Sequence, residues 1–197
     1  MLTVHVMGHT YVKHGEQPVR LSAKPVALLT YLTLERQPHH RDHLADLLWD
    51  HPDARLNLRV ELNRIRASGL PGFPQGQRLL SLAQARTDLD FWEAGASGRL
   101  DGPELEEWLA ALRGVPLSGL DDLGSLHFRS WLDEQRQVLD TRMLHTLEQV
   151  YLAHARAGRQ GVCARINARL TALGHEAFPA PDPPPLPLVP GEPHFKR

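Results

Sequence analysis

The sequence predicts a mainly helical chain with a small β component at its N-terminus. Three observations carry this. Leu2, Val4 and Val6 alternate with Thr3 and His5 at the two-residue period of a strand. Three consecutive segments from about residue 23 to residue 67 place their apolar residues at helical spacing. From about residue 88 onward the strand-like alternation stops and helical periodicity dominates.

Along the N-terminal half, Leu2 to Met7 reads as a strand, and Tyr11-Val12-Lys13 with Val19-Arg20-Leu21 continue a small sheet punctuated by Gly8 and Gly15. Ser22 stands where a helix N-cap belongs, and Pro25 falls in the first turn, where a missing N–H costs nothing. Val26, Leu28, Leu29, Leu32 and Leu34 give that helix an apolar face to about Glu35, and Gln37-Pro38 ends it. A second helix runs from about Arg41 to Trp49 on Leu44, Leu47 and Leu48, broken by Asp50-His51-Pro52. A third spans about 54–67 and stops at Ser68-Gly69. The loop Pro71 to Gly76 and the short strand Arg78 to Leu82 then suggest a hairpin. Strands, three helices with a tight break before the third, and a hairpin make the layout of a winged helix-turn-helix.

In the second half, a short helix opens at Phe91-Trp92. Another runs from Pro103 to Arg113 with Leu105, Trp108, Leu109 and Leu112 on one face. Leu126 to about Ala157 reads as one long helix or as two with a bend, and Val162 to Leu173 as its partner, stopped by Gly174. Eight prolines from Pro179 to Pro193 predict an extended or disordered tail. The expected organisation is therefore 1–87, 88–178 and a proline-rich 179–197.

The totals are those of an ordinary globular chain: 197 residues, 42% apolar and 23% charged. A single cysteine, Cys163, builds no intramolecular disulfide. The N-terminus lacks the layout of a signal peptide, and no apolar run approaches the roughly 18 residues of a membrane span. A cytoplasmic protein without membrane contact is expected. The net charge of −1 hides a split. Residues 1–87 carry eleven Lys and Arg against seven Asp and Glu, a balance of +4, and residues 88–197 eleven against sixteen, a balance of −5. A basic half joined to an acidic half suggests that one meets phosphate and the other does not.

With Leu58, Leu62 and Ile65 on the core side of the third helix, steps of about 100° per residue turn Leu56, Val60, Asn63 and Arg64 outward. Asn57 and Arg59 lie on the flanks and Arg66 nearer the core edge. Arg donates two hydrogen bonds to guanine and Asn bridges adenine, while a valine methyl suits thymine. The candidates for base contact are Asn57, Val60, Asn63 and Arg64. Lys24, Arg41, Arg59, Arg66 and Arg78 are candidates for phosphate, contacts that position without reading sequence. The plainer account is that Arg55, Arg59, Arg64 and Arg66 simply solvate an exposed helix, since Arg is a good helix former, and the surrounding strand–helix–helix–hairpin order favours DNA over it.

Several segments of this half resemble the winged helix of the SARP-type transcriptional activators, which share the OmpR-type DNA-binding fold. They are Leu21-Ser22-Ala23-Lys24, Ala27 to Leu32, Arg41 to Trp49 and Asn57 to Arg66, in the family's order and spacing. Residues from about Thr87 to Phe178 resemble the bacterial transcriptional activator domain (BTAD) that follows in that family. The resemblance rests on Thr87-Asp88-Leu89-Asp90, on Phe128 to Arg136, and on Tyr151-Leu152, Ala155, Gly158-Arg159 and Leu170, similar to a tetratricopeptide helix pair. The sequence departs from the family at Gly95, Gly98 and Gly102, which shorten the first helices, and at Gln160-Gly161. The resemblance implies a winged helix-turn-helix followed by an all-helical, tetratricopeptide-like domain. It implies a DNA-binding regulator, an activator at repeated sites, with double-stranded DNA, a second copy of the chain and RNA polymerase as partners. Leu186 to Glu192 is similar to the lead-in to the ATPase module of larger members, but no GxxxxGK[ST] loop occurs, so ATP hydrolysis is not expected.

Other constellations carry less. His39, His40, His43 and His51 lack a Cys or carboxylate pattern to complete a metal site, and no metal or cofactor is expected. Glu104, Glu106 and Glu107 suit the start of a helix, where acids complement the dipole. Cys163 reads as a buried small residue and Trp92, Trp108 and Trp131 as packing anchors. No nucleophile–base set is legible, so an enzyme is not expected. The rival expectation is an interaction adaptor whose winged helix no longer binds DNA.

Overall fold

The computed structural model describes residues 1–70, 77–82 and 84–180. Its architecture is mainly helical, with a small sheet at the N-terminus. Strand β1 (Leu2–His5) pairs antiparallel with β2 (Tyr11–His14), and β2 with β3 (Gln17–Pro18). The alternation read from the sequence is physical: Val4, Val6 and Val12 are fully buried, while Thr3, His5 and Lys13 are only partly covered. The third strand is Gln17–Pro18 rather than Val19 to Leu21. Only the Val19 amide extends the ladder, donating to the Val12 carbonyl at 2.8 Å, before the chain turns into the first helix.

Helix α1 (Ala23–Glu35) is the hub of this half. Every residue from Pro25 to Thr33 is buried, so it is covered on all sides, as helices at the centre of a domain are. Ser22 is at its N-cap in an extended conformation, but its side chain makes no capping hydrogen bond, contrary to the sequence expectation. The helix stops at Arg36, which takes a left-handed conformation (φ 54°) ahead of Pro38. A two-residue strand β4 (His39–His40) leads into α2 (Arg41–Leu48), and α3 (Ala54–Ala67) follows. The strand after α3, β5 (Leu79–Leu80), pairs antiparallel with β4. The expected hairpin loop, Pro71 to Gly76, lies outside the described residues. Strand β6 (Arg86–Thr87) joins the first sheet parallel to β1, giving the order β3-β2-β1-β6.

The remaining elements are helices. Thr87 and Asp90 form a reciprocal capping box that starts α4 (Asp88–Ala94). Asp101 caps α5 (Gly102–Ala110), with Pro103 in its first turn. Helix α6 (Leu126–Arg156) is a single rod of 31 residues, about 45 Å long at 1.5 Å per residue. It contains neither Pro nor Gly, so nothing in its sequence supplies a bend. It ends at Gly158 (φ 71°), whose amide donates to Ala155, while the Arg159 amide reaches back to His154. Helix α7 (Gln160–Ala172) then packs antiparallel along α6.

The two halves are interlocked through backbone and side chain. The segment after α5 runs beside β1 and its following turn: Arg113 donates to the Met7 carbonyl, Leu117 to Val6 and Ser118 to Gly8, while Thr10 donates back to Ser118. The Asp88 carboxylate accepts from the Val6 amide at 2.7 Å and from Arg113 at 2.7 Å. Asp90 binds Arg36 from the end of α1 and Arg142 from α6, at 3.0 and 3.2 Å. Trp92 and Trp108 stack at 4.3 Å, and each indole N–H donates to the other's backbone carbonyl, which clamps α4 to α5. Two of the three tryptophans read as anchors, Trp92 and Trp108, are thus in the core, and Trp131 packs against it half-buried.

Candidate nucleic-acid interface

Helices α2 and α3 are joined by the five residues Trp49 to Asp53. The C-terminus of α2 is held from three directions. Trp49 donates to Ala45, Ser125 at the start of α6 donates to the Leu47 carbonyl through both its amide and its hydroxyl, and the Lys24 ammonium donates to the Leu48 carbonyl. The positive end of α6 and a lysine thus meet the negative end of α2. The Lys24 ammonium also lies 5.4 Å from the centre of the Trp49 ring, and burial pulls its pKa down.

That packing presents one face of α3. Leu58, Leu62 and Ile65 are buried, and Leu56, Val60, Arg59, Asn63 and Arg64 are exposed. Leu56 is 59% and Val60 39% exposed. The outward face read from helical spacing is therefore the face the fold leaves open.

The polar residues of this face are not idle. Arg64 pairs with Glu61 at 2.7 Å, Asn63 accepts from Arg66, and Asn57 shares a hydrogen bond with His51 at 3.2 Å. Glu61 is buried, with one carboxylate oxygen lacking a partner among the described residues. The sequence reading had not singled it out. An acid on an otherwise basic helix, three residues before an arginine, is the signal that identifies it.

The five phosphate candidates fall into different settings. Arg41 and Arg59 line one cavity of about 200 Å³ between α2 and the start of α3, together with Asp42, Arg55, Leu58 and Leu62. Arg55 is paired with Asp42 at 2.9 Å. Arg41 is half-buried, and its Nε and Nη2 are covered without a hydrogen-bond partner among the described residues. Arg78 is exposed beside it, its carbonyl accepting from the Arg41 amide at 3.0 Å. Arg66 is half-buried at the edge of the α3 face. Lys24 stands apart, engaged with the Leu48 carbonyl at the far end of α2, about 10 Å along that helix from Arg41 by helical rise.

Where α1 and α2 meet is an aromatic and histidine cluster. The Tyr31 hydroxyl meets His43 Nε2 at 3.0 Å, the His39 and His43 rings stack at 5.5 Å, and Tyr31 packs on Trp131 of α6 at 4.8 Å. The Trp131 indole donates to Glu35 at 2.6 Å. Burial and the Glu35 charge push the Tyr31 hydroxyl up to about 12, so it stays protonated. Burial and then His43 lower the His39 pKa, against the pull of Glu35. Among the described residues no three His, Cys, Asp or Glu side chains converge as a metal set. No helix among them is long and apolar enough to cross a membrane.

No family model matches the chain. Nor does any curated protein. Among solved structures, the chain is similar to Mycobacterium tuberculosis EmbR in complex with a low affinity phosphopeptide, with a TM-score of 0.46 and 21% identity. The match covers 91% of this chain and 62% of that one, so this chain spans less than two thirds of that protein's length.

Proposed function

We propose that the protein is a sequence-specific DNA-binding regulator of transcription of the SARP type. The observation that carries this reading is the open face of α3, where Leu56, Val60, Asn63 and Arg64 stand out from a helix anchored by Leu58, Leu62 and Ile65. A helix about 10–12 Å across fits the major groove, which is about 12 Å wide. Asn57, Val60, Asn63 and Arg64 would contact bases, and Arg41, Arg59, Arg66 and Arg78 phosphates. Lys24 reaches phosphate only by leaving the Leu48 carbonyl, so its first role is to hold α2. Arg64 and Asn63 each exchange an internal partner for a base edge on binding, which lowers affinity and sharpens discrimination against sites that do not repay the exchange. The helical half supplies the surface for a second copy of the chain or for RNA polymerase.

Selection of retained sequences from random double-stranded DNA tests the reading. A recurring motif is expected, lost when Asn63 and Arg64 are both changed to Ala, with affinity falling steeply as salt rises. Absence of both motif and salt-sensitive binding would replace this reading with that of a protein adaptor.

A further inference from the structure

Helix α7 is terminated completely before the chain ends. Gly174 (φ 86°) donates to the Thr171 carbonyl, and the His175 amide reaches back to Leu170 at 3.0 Å. Residues 175–180 add no helix or strand, yet they are held on the α6/α7 hairpin in a particular way. Asn167 of α7 grips the backbone of one residue from both sides. Its Oδ1 accepts from the Phe178 amide at 2.9 Å and its Nδ2 donates to the Phe178 carbonyl at 3.2 Å. The Tyr151 hydroxyl of α6 donates to the Pro179 carbonyl at 3.1 Å, and its ring packs on the Phe178 ring at 5.3 Å. Three residues earlier, His175 meets Asp140 of α6 at 3.2 Å. Glu176, Ala177, Pro179 and Ala180 are exposed.

This is how a protein surface reads an extended peptide: main-chain hydrogen bonds hold the strand and one or two side chains set the preference. Asn167 supplies what a neighbouring strand would supply. Only Phe178 and His175 have their side chains engaged, and the cap of α7 uses no backbone group beyond the His175 amide. Lifting residues 176–179 and swinging out the His175 side chain therefore uncovers Tyr151 and Asn167 and costs the helices none of their own hydrogen bonds.

We propose that the Tyr151–Asn167 face is a peptide-binding site, held in cis by residues 175–179. Its partner is an extended protein segment carrying an aromatic residue followed by proline, with a basic residue three positions before the aromatic. The basic preference comes from Asp140, the aromatic one from Tyr151, and the demand for extended backbone from Asn167. The proposal is independent of DNA binding.

The test uses the full chain and a fluorescent peptide of sequence Gly-His-Glu-Ala-Phe-Pro-Ala. Phe178→Ala weakens the cis occupant, so this variant should bind the peptide at least tenfold more tightly than the unaltered protein. Adding Asn167→Ala should remove most of that gain, and a peptide with Ala in place of Phe should not bind. Hydrogen exchange on the unaltered protein gives a readout independent of any variant's folding. Excess peptide should speed exchange at the Phe178 amide and leave the α7 amides unchanged. No binding to a folded Phe178→Ala variant, or no change in Phe178 exchange, would reduce the segment to ordinary terminal packing and overturn the site. Concentration-dependent dimerisation abolished by Phe178→Ala would place a second copy's segment in the groove and overturn the separate partner.

Discussion

Glu61 is the sole acid on α3, and it governs how Arg64 can be tested. Arg64→Ala removes a base-contact candidate and also strands a carboxylate whose side chain is only 12% exposed. The second effect should cost about 1 kcal/mol of stability, since a covered charge loses its one partner. The clean comparison is Glu61→Gln with Arg64→Ala, which should recover that loss in a urea melt and still show weakened discrimination between specific and random DNA. Arg41→Ala should instead weaken binding to all sequences alike. Equal loss of specific and random binding in both would sink the division of roles. His154 offers a separate test. It is fully buried, and neither ring nitrogen has a hydrogen-bond partner among the described residues. Burial first, then Arg159, lowers its pKa from 6.5, with Asp101 opposing. The folded state thus favours the neutral ring while the unfolded chain takes up a proton below 6.5, so stability falls as pH drops through that value. His154→Leu should flatten the change in urea midpoint between pH 7.5 and 5.5, and an unchanged slope would place the effect elsewhere.

At the level of elements, the helices were legible and their pairings were not. Pro, Gly and the apolar period mark where α1, α3 and α6 begin and end, because capping and helix termination are local. The period also predicted which side of α3 stays open. What joins elements is set by contacts distant in sequence, and no local signal announces it. Nothing within Arg78 to Leu82 says that Leu79–Leu80 pairs with His39–His40, or that Lys24 closes the end of α2 instead of facing solvent. The Trp92–Trp108 clamp is of the same kind: the sequence marks two anchors but not their exchange of hydrogen bonds. That exchange predicts a rank order. Trp108→Phe leaves the buried Trp92 carbonyl without its donor and should cost about 1–3 kcal/mol beyond lost packing. Trp131→Phe gives up a bond to Glu35, a residue that water still reaches, and should cost less. Denaturant midpoints of the two variants decide it, and a larger loss at Trp131 would refute the clamp.

At the scale of the whole molecule, the charge split and the resemblance suggest two units meeting at residue 87, but the hydrogen bonds run across that point. Val6, Met7, Gly8 and Thr10 find backbone partners among residues 113–118. Asp88 and Asp90 tie β1 and the end of α1 to Arg113 and Arg142. Burial alone would raise both carboxyl pKa values. At Asp88 the His5 side chain, the Val6 amide and Arg113 reverse this, and at Asp90 the Thr87 amide and hydroxyl, Arg142 and Arg36 do, so both lie below 3.8. Their contribution is therefore complete above the unfolded value and is lost only as pH falls below it, well apart from the His154 window. The expected behaviour is a single cooperative unfolding of both halves at neutral pH, with calorimetric and van't Hoff enthalpies in agreement. A fragment of residues 1–87 would leave the Met7 and Gly8 carbonyls and the Val6 and Thr10 amides without their partners at a sheet margin, and should melt lower and less cooperatively than the full chain. Asp88→Ala in the full chain should move in the same direction by a smaller amount, since it removes one tie and leaves the backbone pairing. A fragment as stable as the full chain would show that the ties at residue 87 merely decorate an independent domain. The orientation of α3 relative to the helical half would then be free, and any partner bound by that half would no longer be held at a defined angle to α3.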